Sequence, residues 1–310
     1  MNDDLKLRYT ETFFSPQGEG AYTGIPSLWI RFFLCNLECR GFGQEDPTNR
    51  DTYKPVGNDI DLTDITDFHQ LPIFDVGCDS AYSVSKRYRH LIQDRTVDEA
   101  VEELTNLLPT RTFVHAATGQ NIDLCITGGE PMLKQTQTGI VAMLRKFHSE
   151  GNMPHRITVE TNGTKPITQE LVDLIDDMYL TEEFGGLCDD SSAVKPEWFW
   201  SVSPKLWATA GEKPEKAIKP NFVADYAKVS DHGQLKFVVN GSEASWLEVE
   251  ENVKRFRAAG VKWPVYIMGV GGTLEGLQVT EAMICDEAIR RGYYYTSRVH
   301  CHIYGNAIGK

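Results

Sequence analysis

Two cysteines, Cys35 and Cys39, stand in Cys-Asn-Leu-Glu-Cys directly after the apolar run Ser27–Leu34. Two thiolates with three residues between them, at the mouth of a strand, suit a soft metal or an iron–sulfur cluster. Three residues beyond Cys39, where a third thiol would complete a compact loop, the chain carries Phe42. The next cysteine, Cys78, stands in Cys-Asp-Ser beyond a polar, acidic stretch from Gly41 to Leu71. If that stretch is an inserted loop, Cys78 can fold back beside the pair, because closure cost grows only logarithmically with loop length. Three thiolates would then hold three irons of a [4Fe–4S] cluster and leave the fourth open. The competing reading makes Cys78 an unrelated loop thiol.

Other groups gather where strands end. Thr127-Gly128-Gly129-Glu130-Pro131 follows one apolar run, Glu160-Thr161-Asn162-Gly163 the next, and Ser203-Pro204-Lys205 the one after. The paired glycines let backbone approach a ligand closely. Each motif alone could be an ordinary turn, but three consecutive strand ends with polar or glycine-rich groups are what a cofactor site at a barrel mouth needs. Ser15-Pro16-Gln17-Gly18-Glu19-Gly20 precedes the apolar run Ser27–Leu34, and Arg31 lies within that run. A buried arginine needs an anion, either a ligand or an internal partner such as Glu19. In Arg298-Val299-His300-Cys301-His302, strand alternation would put His300 and His302 on one face and Cys301 on the other. Lys86, Arg87 and Arg89 read as a solvated face or as steering for an anionic substrate.

Past residue 95 the pattern alternates between helix and strand. Helices are expected at Thr96–Leu108 (opened by a Thr96/Glu99 capping box), Gly139–Ser149, Thr168–Asp177, Ser245–Ala259 and Glu281–Arg291. Strands are expected at Ile122–Thr127, Arg156–Thr161, Phe199–Ser203, Gln234–Val239, Pro264–Met268 and Arg298–Tyr304. Such alternation means parallel β-strands with right-handed crossovers, in a barrel or open barrel, with function at the C-terminal strand ends. Gly41–Leu71 and Thr181–Pro196 break the rhythm and are expected as surface loops.

Composition narrows the classes. The 310 residues carry 41% hydrophobic and 24% charged side chains, as in ordinary globular proteins. The net charge of −13 disfavours general binding to nucleic acid. No apolar run reaches the roughly 20 residues that span a bilayer, and the start, Met-Asn-Asp-Asp-Leu-Lys, has no signal-peptide core. The expectation is a cytoplasmic protein without a membrane segment. The seven cysteines, an odd number, argue against a disulfide framework. Cys125 and Cys285 are expected as small buried hydrophobes, and Cys188 as incidental.

Taken together, these motifs resemble the radical S-adenosylmethionine (SAM) superfamily. Within it they look like the 7-carboxy-7-deazaguanine synthases of queuosine and 7-deazapurine biosynthesis. The Gln-Gly-Glu-Gly turn, the strand arginine, Cys-Asn-Leu-x-Cys, Thr-Gly-Gly-Glu-Pro, Glu-Thr-Asn-Gly, Ser-Pro-Lys, Leu-Lys-Phe-Val and the closing Arg-aliphatic-His appear in the family's order. The family's third cluster cysteine precedes Asp-Thr, and Cys78-Asp79-Ser80 stands in for it.

The resemblance implies one radical SAM domain over 1–310, a partial (β/α)6-type barrel with a mostly parallel sheet and insertions at about 41–71 and 181–196. It implies a lyase that converts 6-carboxy-5,6,7,8-tetrahydropterin to 7-carboxy-7-deazaguanine. A 5′-deoxyadenosyl radical abstracts a hydrogen, the ring contracts and ammonia leaves. By the same resemblance Cys35, Cys39 and Cys78 ligate the cluster. Ser80, a hard oxygen donor, takes Mg²⁺. Gly129, Glu160, Asn162, Ser203, Pro204 and Lys205 hold SAM, with the backbone of Met268, Gly269, Val270 and Gly271. Pro16, Gln17, Gly18, Glu19, Arg31, Thr127 and His300 hold the pterin. A homodimer and an electron donor such as a flavodoxin belong to the same expectation. Two alternatives stay open: another radical SAM enzyme such as a glycyl-radical activase, and a catalytically dead relative that holds zinc.

Overall fold

Strands buried on both faces read as nearly unbroken apolar runs, and the central runs of this chain do so. In a computed structural model, which describes residues 5–57, 60–180, 196–305 and 307–309, they form a nine-stranded sheet. The strands are β1 (Lys6–Pro16), β2 (Pro26–Phe32), β3 (Gln93–Thr96), β4 (Asp123–Gly128), β5 (Arg156–Thr161), β6 (Glu197–Val202), β7 (Gly233–Val239), β8 (Val265–Gly269) and β9 (Tyr294–Tyr295). Their order is β3-β1-β2-β4-β5-β6-β7-β8-β9. From β2 to β9 every neighbouring pair is parallel, while β1 runs antiparallel to both β2 and β3. The sheet is open, with β3 and β9 at its edges, so the partial barrel has no closing seam.

Helices cover the sheet as the periodicity requires. Val97–Leu107 opens with the Thr96/Glu99 capping box, and Lys134–Ser149, Gln169–Leu180, Glu243–Ala258 and Leu274–Arg290 follow their strands. Buried Val101, Leu104, Ile140, Leu144, Leu171, Ile175, Val249 and Phe256 meet the sheet in one continuous core. Cys125 is buried in that sheet, whereas Cys285 is only half-buried. The expected loop at Thr181–Pro196, with Cys188, lies outside the described residues except for Pro196.

Three expectations are corrected. The alternating pattern Lys6-Leu7-Arg8-Tyr9 belongs to β1, a strand absent from the reading above. Its register shifts between Tyr9 and Glu11, and this bulge buries Thr10 and Glu11 alike. Second, Arg298–Tyr304 is not a strand: β9 ends at Tyr295, and Val299–Tyr304 is a helical turn. Helical spacing separates the two histidines, so His300 turns to the central cavity while His302 meets Ser297 (3.0 Å) and Glu281 (3.3 Å). Third, the inserted stretch does not simply ride on the surface. Phe68, Leu71, Phe74, Tyr82, Tyr88 and Leu91 form a small core of their own. Arg87, read as a solvated or steering cation, donates instead to the carbonyls of Gly57 and Ile60 inside that lobe.

Candidate active site

A cavity of about 260 Å³ opens at the C-terminal ends of β2 and β4–β8. Every residue nominated above lines it except Pro204. Pro204 only carries the chain from Ser203 to Lys205.

Cys35, Cys39 and Cys78 share one wall, packed with Leu37, Phe42, Ala210 and Ala217. The route by which Cys78 reaches it is short. Gly77 donates its N–H to the carbonyl of Phe42 at 2.7 Å, so the entry and exit of the lobe are pinched into a neck. Cys78 therefore emerges beside Phe42, and the lobe spans residues 43–76 rather than 41–71. Its Pro72–Asp75 end lines the cavity. The loop from Leu34 to Cys39 is strained: Leu34 has φ 81° and Cys39 φ 50°, left-handed values that cost non-glycine residues free energy. Glu212, fully buried, holds it there by accepting the N–H groups of Glu38 (2.6 Å) and Cys39 (2.8 Å). Leu37 N–H (3.4 Å) and Asn162 Nδ2 (3.7 Å) point at the Cys35 sulfur. Burial, with Glu130 nearby, pushes the Cys35 thiol up to about 12, and burial raises Cys39 and Cys78 as well.

Three soft donors on one wall, with N–H groups directed at a sulfur, fit an iron–sulfur cluster. Among the described residues no three His, Cys, Asp or Glu side chains converge on a single ion. Cluster cysteines each take a different iron, whereas a zinc site draws its ligands around one ion.

The glycines of Thr-Gly-Gly-Glu-Pro have a packing reason beside the one expected. A Cβ on Gly129 would lie 2.1 Å from the Leu34 carbonyl oxygen, and one on Gly128 2.4 Å from that of Phe32. They let the end of β2 and the start of the cysteine loop come close, and both glycines also line the cavity. Glu130 is likewise structural: fully buried, it accepts from Thr161 Oγ1 (2.6 Å), Asn162 N (2.8 Å) and Met132 N (2.8 Å). It thereby ties the end of β4 to that of β5. Gly129→Ala is expected to lower stability by about 1–3 kcal/mol through overpacking and to reduce cluster occupancy. Thermal melting and iron analysis check both, and an unchanged melt would sink the account.

The opposite part of the cavity is charged. Arg31 donates Nε to Glu11 Oε1 at 2.6 Å, and Tyr82 OH donates to the same oxygen at 2.7 Å. Thus Arg31 pairs with Glu11, its register partner across the β1 bulge, and not with Glu19. Only Nε is engaged; among the described residues its two terminal nitrogens have no hydrogen-bond partner. Glu19 instead takes Lys236 on Oε2 and Arg298 Nε on Oε1 (3.0 Å). Burial works against its charge, yet Lys236 and Arg298 hold its carboxyl far below the ordinary range. Glu160 accepts from Thr127 Oγ1 (3.1 Å) and Gln17 Nε2 (3.4 Å). It therefore groups with the residues nominated for the pterin, while Asn162 turns to Asn36 and Cys35. Glu11, Lys236, Arg298 and Glu212 were missed. A lysine inside β7, which is buried at every position, and a buried glutamate in β1 were the available signals, since buried charges require partners.

His300 packs on Gly18, where a Cβ would lie 2.0 Å from Nδ1. Burial pushes its pKa down to about 4, against the pull of Glu19 and Asp79. The unfolded chain binds this proton from pH 6.5 downwards, the native site only near pH 4. Stability that is complete above pH 6.5 is therefore lost as pH falls from 6.5 towards 4. His300→Gln is expected to flatten that part of the melting-temperature profile; an unaltered slope would rule the residue out as its source.

On the remaining sides, Lys205 Nζ meets Ser203 Oγ (2.9 Å) and lies 5.8 Å from the centroid of the Phe42 ring. Ser80 Oγ is 3.4 Å from Asp79 Oδ1 and 3.5 Å from Cys78 Sγ. Two adjacent hard oxygens fit Mg²⁺, which keeps most of its waters. No helix among the described residues is long and apolar enough to cross a membrane.

An open, mostly parallel sheet thus carries three thiols and a polar cavity at its strand ends. The chain is similar over its whole length to proteins named 7-carboxy-7-deazaguanine synthase. It is 26% identical to that of Rhodopirellula baltica, covering 99% of this chain and 90% of the relative. It is 26% identical to that of Pyrobaculum aerophilum, covering 100% of each. No family model matches the chain. A crystal structure of QueE from Escherichia coli is similar at a TM-score of 0.49 and 14% identity, covering 96% of this chain and 95% of that one.

Proposed function

We propose that this chain converts 6-carboxy-5,6,7,8-tetrahydropterin to 7-carboxy-7-deazaguanine with loss of ammonia. The observation that carries the reading is the division of one cavity into a thiol wall and a charged floor that holds a half-used arginine. When bound, the cluster and SAM supply hydrogen-atom abstraction, and Mg²⁺ polarises substrate oxygens.

The chain's own residues do the rest. Cys35, Cys39 and Cys78 hold the cluster, and Glu212, Asn162 and the Gly129 contact hold the loop that carries them. Ser203, Lys205 and the backbone of Met268–Gly271 seat SAM. Arg31 is kept in place by Glu11 and presents its two free nitrogens to the substrate carboxylate, a bidentate match. Gln17, Thr127 and Glu160 form a linked acceptor and donor edge for a flat heterocycle, and Pro16 and Gly18 shape the turn beside it. Lys236 and Glu19 offer a fixed dipole. His300, neutral, can accept or donate one hydrogen bond without adding charge.

The same reading places the protein in the cytoplasm as a homodimer served by a donor such as a flavodoxin. The test is anaerobic reconstitution followed by turnover with the pterin. Release of 7-carboxy-7-deazaguanine is expected. Cleavage of SAM with the pterin untouched would assign the chain to another radical SAM reaction, and zinc without iron or sulfide would make it a dead relative.

A further inference from the structure

Arg298, so far only a partner of Glu19, lines the cavity with its side chain only 7% exposed. Each of its three nitrogens is engaged, Nη2 also lying 3.4 Å from His300 Nε2. Nε goes to Glu19 Oε1 (3.0 Å), Nη1 to the Gly271 carbonyl (2.5 Å) and Nη2 to Asp79 Oδ2 (2.5 Å). The other oxygen of Glu19 belongs to Lys236. Beside Ser80, then, two carboxylates face two cations, and the corner is neutral. Arg31, the next cation to act on Asp79, is cancelled by Glu11 in the same way. A divalent cation is drawn by uncompensated carboxylate oxygens, and each fixed positive charge within a few ångströms opposes it. The hard oxygens of Ser80 and Asp79 suit a cation, but with Glu19 and Asp79 already paired the corner offers it no uncompensated carboxylate.

We propose that Arg298 is a charge lock, which keeps the Asp79–Ser80 corner closed to divalent cations until a carboxylate-bearing substrate adds the missing negative charge. Metal then enters with substrate and not before it. The inference rests on the proposed function for the metal it concerns, and adds an order of binding and the residue that imposes it. An arginine suits the task better than a lysine for position, since one planar fork reaches the pterin turn, the SAM loop and the residue after Cys78 at once. For the lock itself, only the charge matters.

Mn²⁺ alone, followed by the loss of its free-ion electron paramagnetic resonance signal, tests this on the full chain. Without pterin, the wild type is expected to bind Mn²⁺ weakly at this corner. Arg298→Gln is expected to bind it tighter by roughly tenfold or more. Arg298→Lys should stay as weak as the wild type, and Asp79→Asn in the Arg298→Gln background should remove the gain. An Arg298→Gln protein that folds by circular dichroism but binds no tighter overturns the lock, as does a lysine variant that gains equally. Should the glutamine variant not fold, the wild type decides: affinity for Mn²⁺ that is the same with and without saturating pterin overturns the proposal. The variant isotherms contain no pterin and need no turnover. A chain that fails to convert the pterin therefore refutes the proposed function without deciding these isotherms.

Discussion

Cys78→Ala is expected to leave a protein that folds yet retains iron and sulfide only at background after anaerobic reconstitution. Cys78 sits at the rim of the main core, in the small cluster with Leu37, Phe42, Ala210 and Ala217. Truncating its side chain costs little packing, while two remaining thiolates cannot hold a four-iron cluster with one open position. The neck supplies a sharper version. Because Gly77 N–H reaches the Phe42 carbonyl at 2.7 Å, positions 42 and 78 lie next to each other. Phe42→Cys placed in the Cys78→Ala background is therefore expected to recover a substantial part of the cluster absorbance. An intact, SAM-cleaving cluster in the single variant would sink the assignment of Cys78. Failure of the double variant alone would say that position 42 does not aim a thiol inward.

Arg31→Gln is expected to lower kcat/KM for the pterin by roughly 10²–10³-fold, the scale of about 3–4 kcal/mol for truncating one member of a buried charged pair. Most of the loss should appear in KM, because the guanidinium would meet a carboxylate that takes no part in the bond changes. Stability falls too. Glu11 would be left buried, with Tyr82 as its donor and no cation. Adding Glu11→Gln separates the two effects: the double variant should regain melting temperature but not substrate affinity. A single variant whose KM stays within threefold of wild type would remove Arg31 from the substrate's carboxylate.

Much of this was legible in the residues themselves. Continuous apolar runs gave β4 to β8 within a residue or two, and the strand-end motifs converge on one cavity. What escaped was two-sided. Glu11 depends on a bulge in a strand that pairs across the sheet, and a bulge has no reliable mark in one sequence. Glu130, inside a motif read for its glycines, ties together the ends of neighbouring strands, which only the folded chain brings within reach. The histidine pair was misjudged for a simpler reason: six residues after a short strand carry too little periodicity to tell 2 from 3.6.

The pterin end of the cavity is closed by contacts between distant parts of the chain. Gly20 N–H donates to Thr296 Oγ1 across 276 residues of sequence, and Arg298 reaches Glu19 across 279. The thiol wall needs less of the chain, since its ligands come early and the groups bracing them end at Ala217. On the ribosome, the two halves of the site are therefore born at different times. A nascent chain could present its three cysteines while the substrate floor is still incomplete, and contacts of such long range form late and slowly. Loading of the cluster and binding of the substrate are in this sense separated by the order of synthesis as well as by position in the cavity.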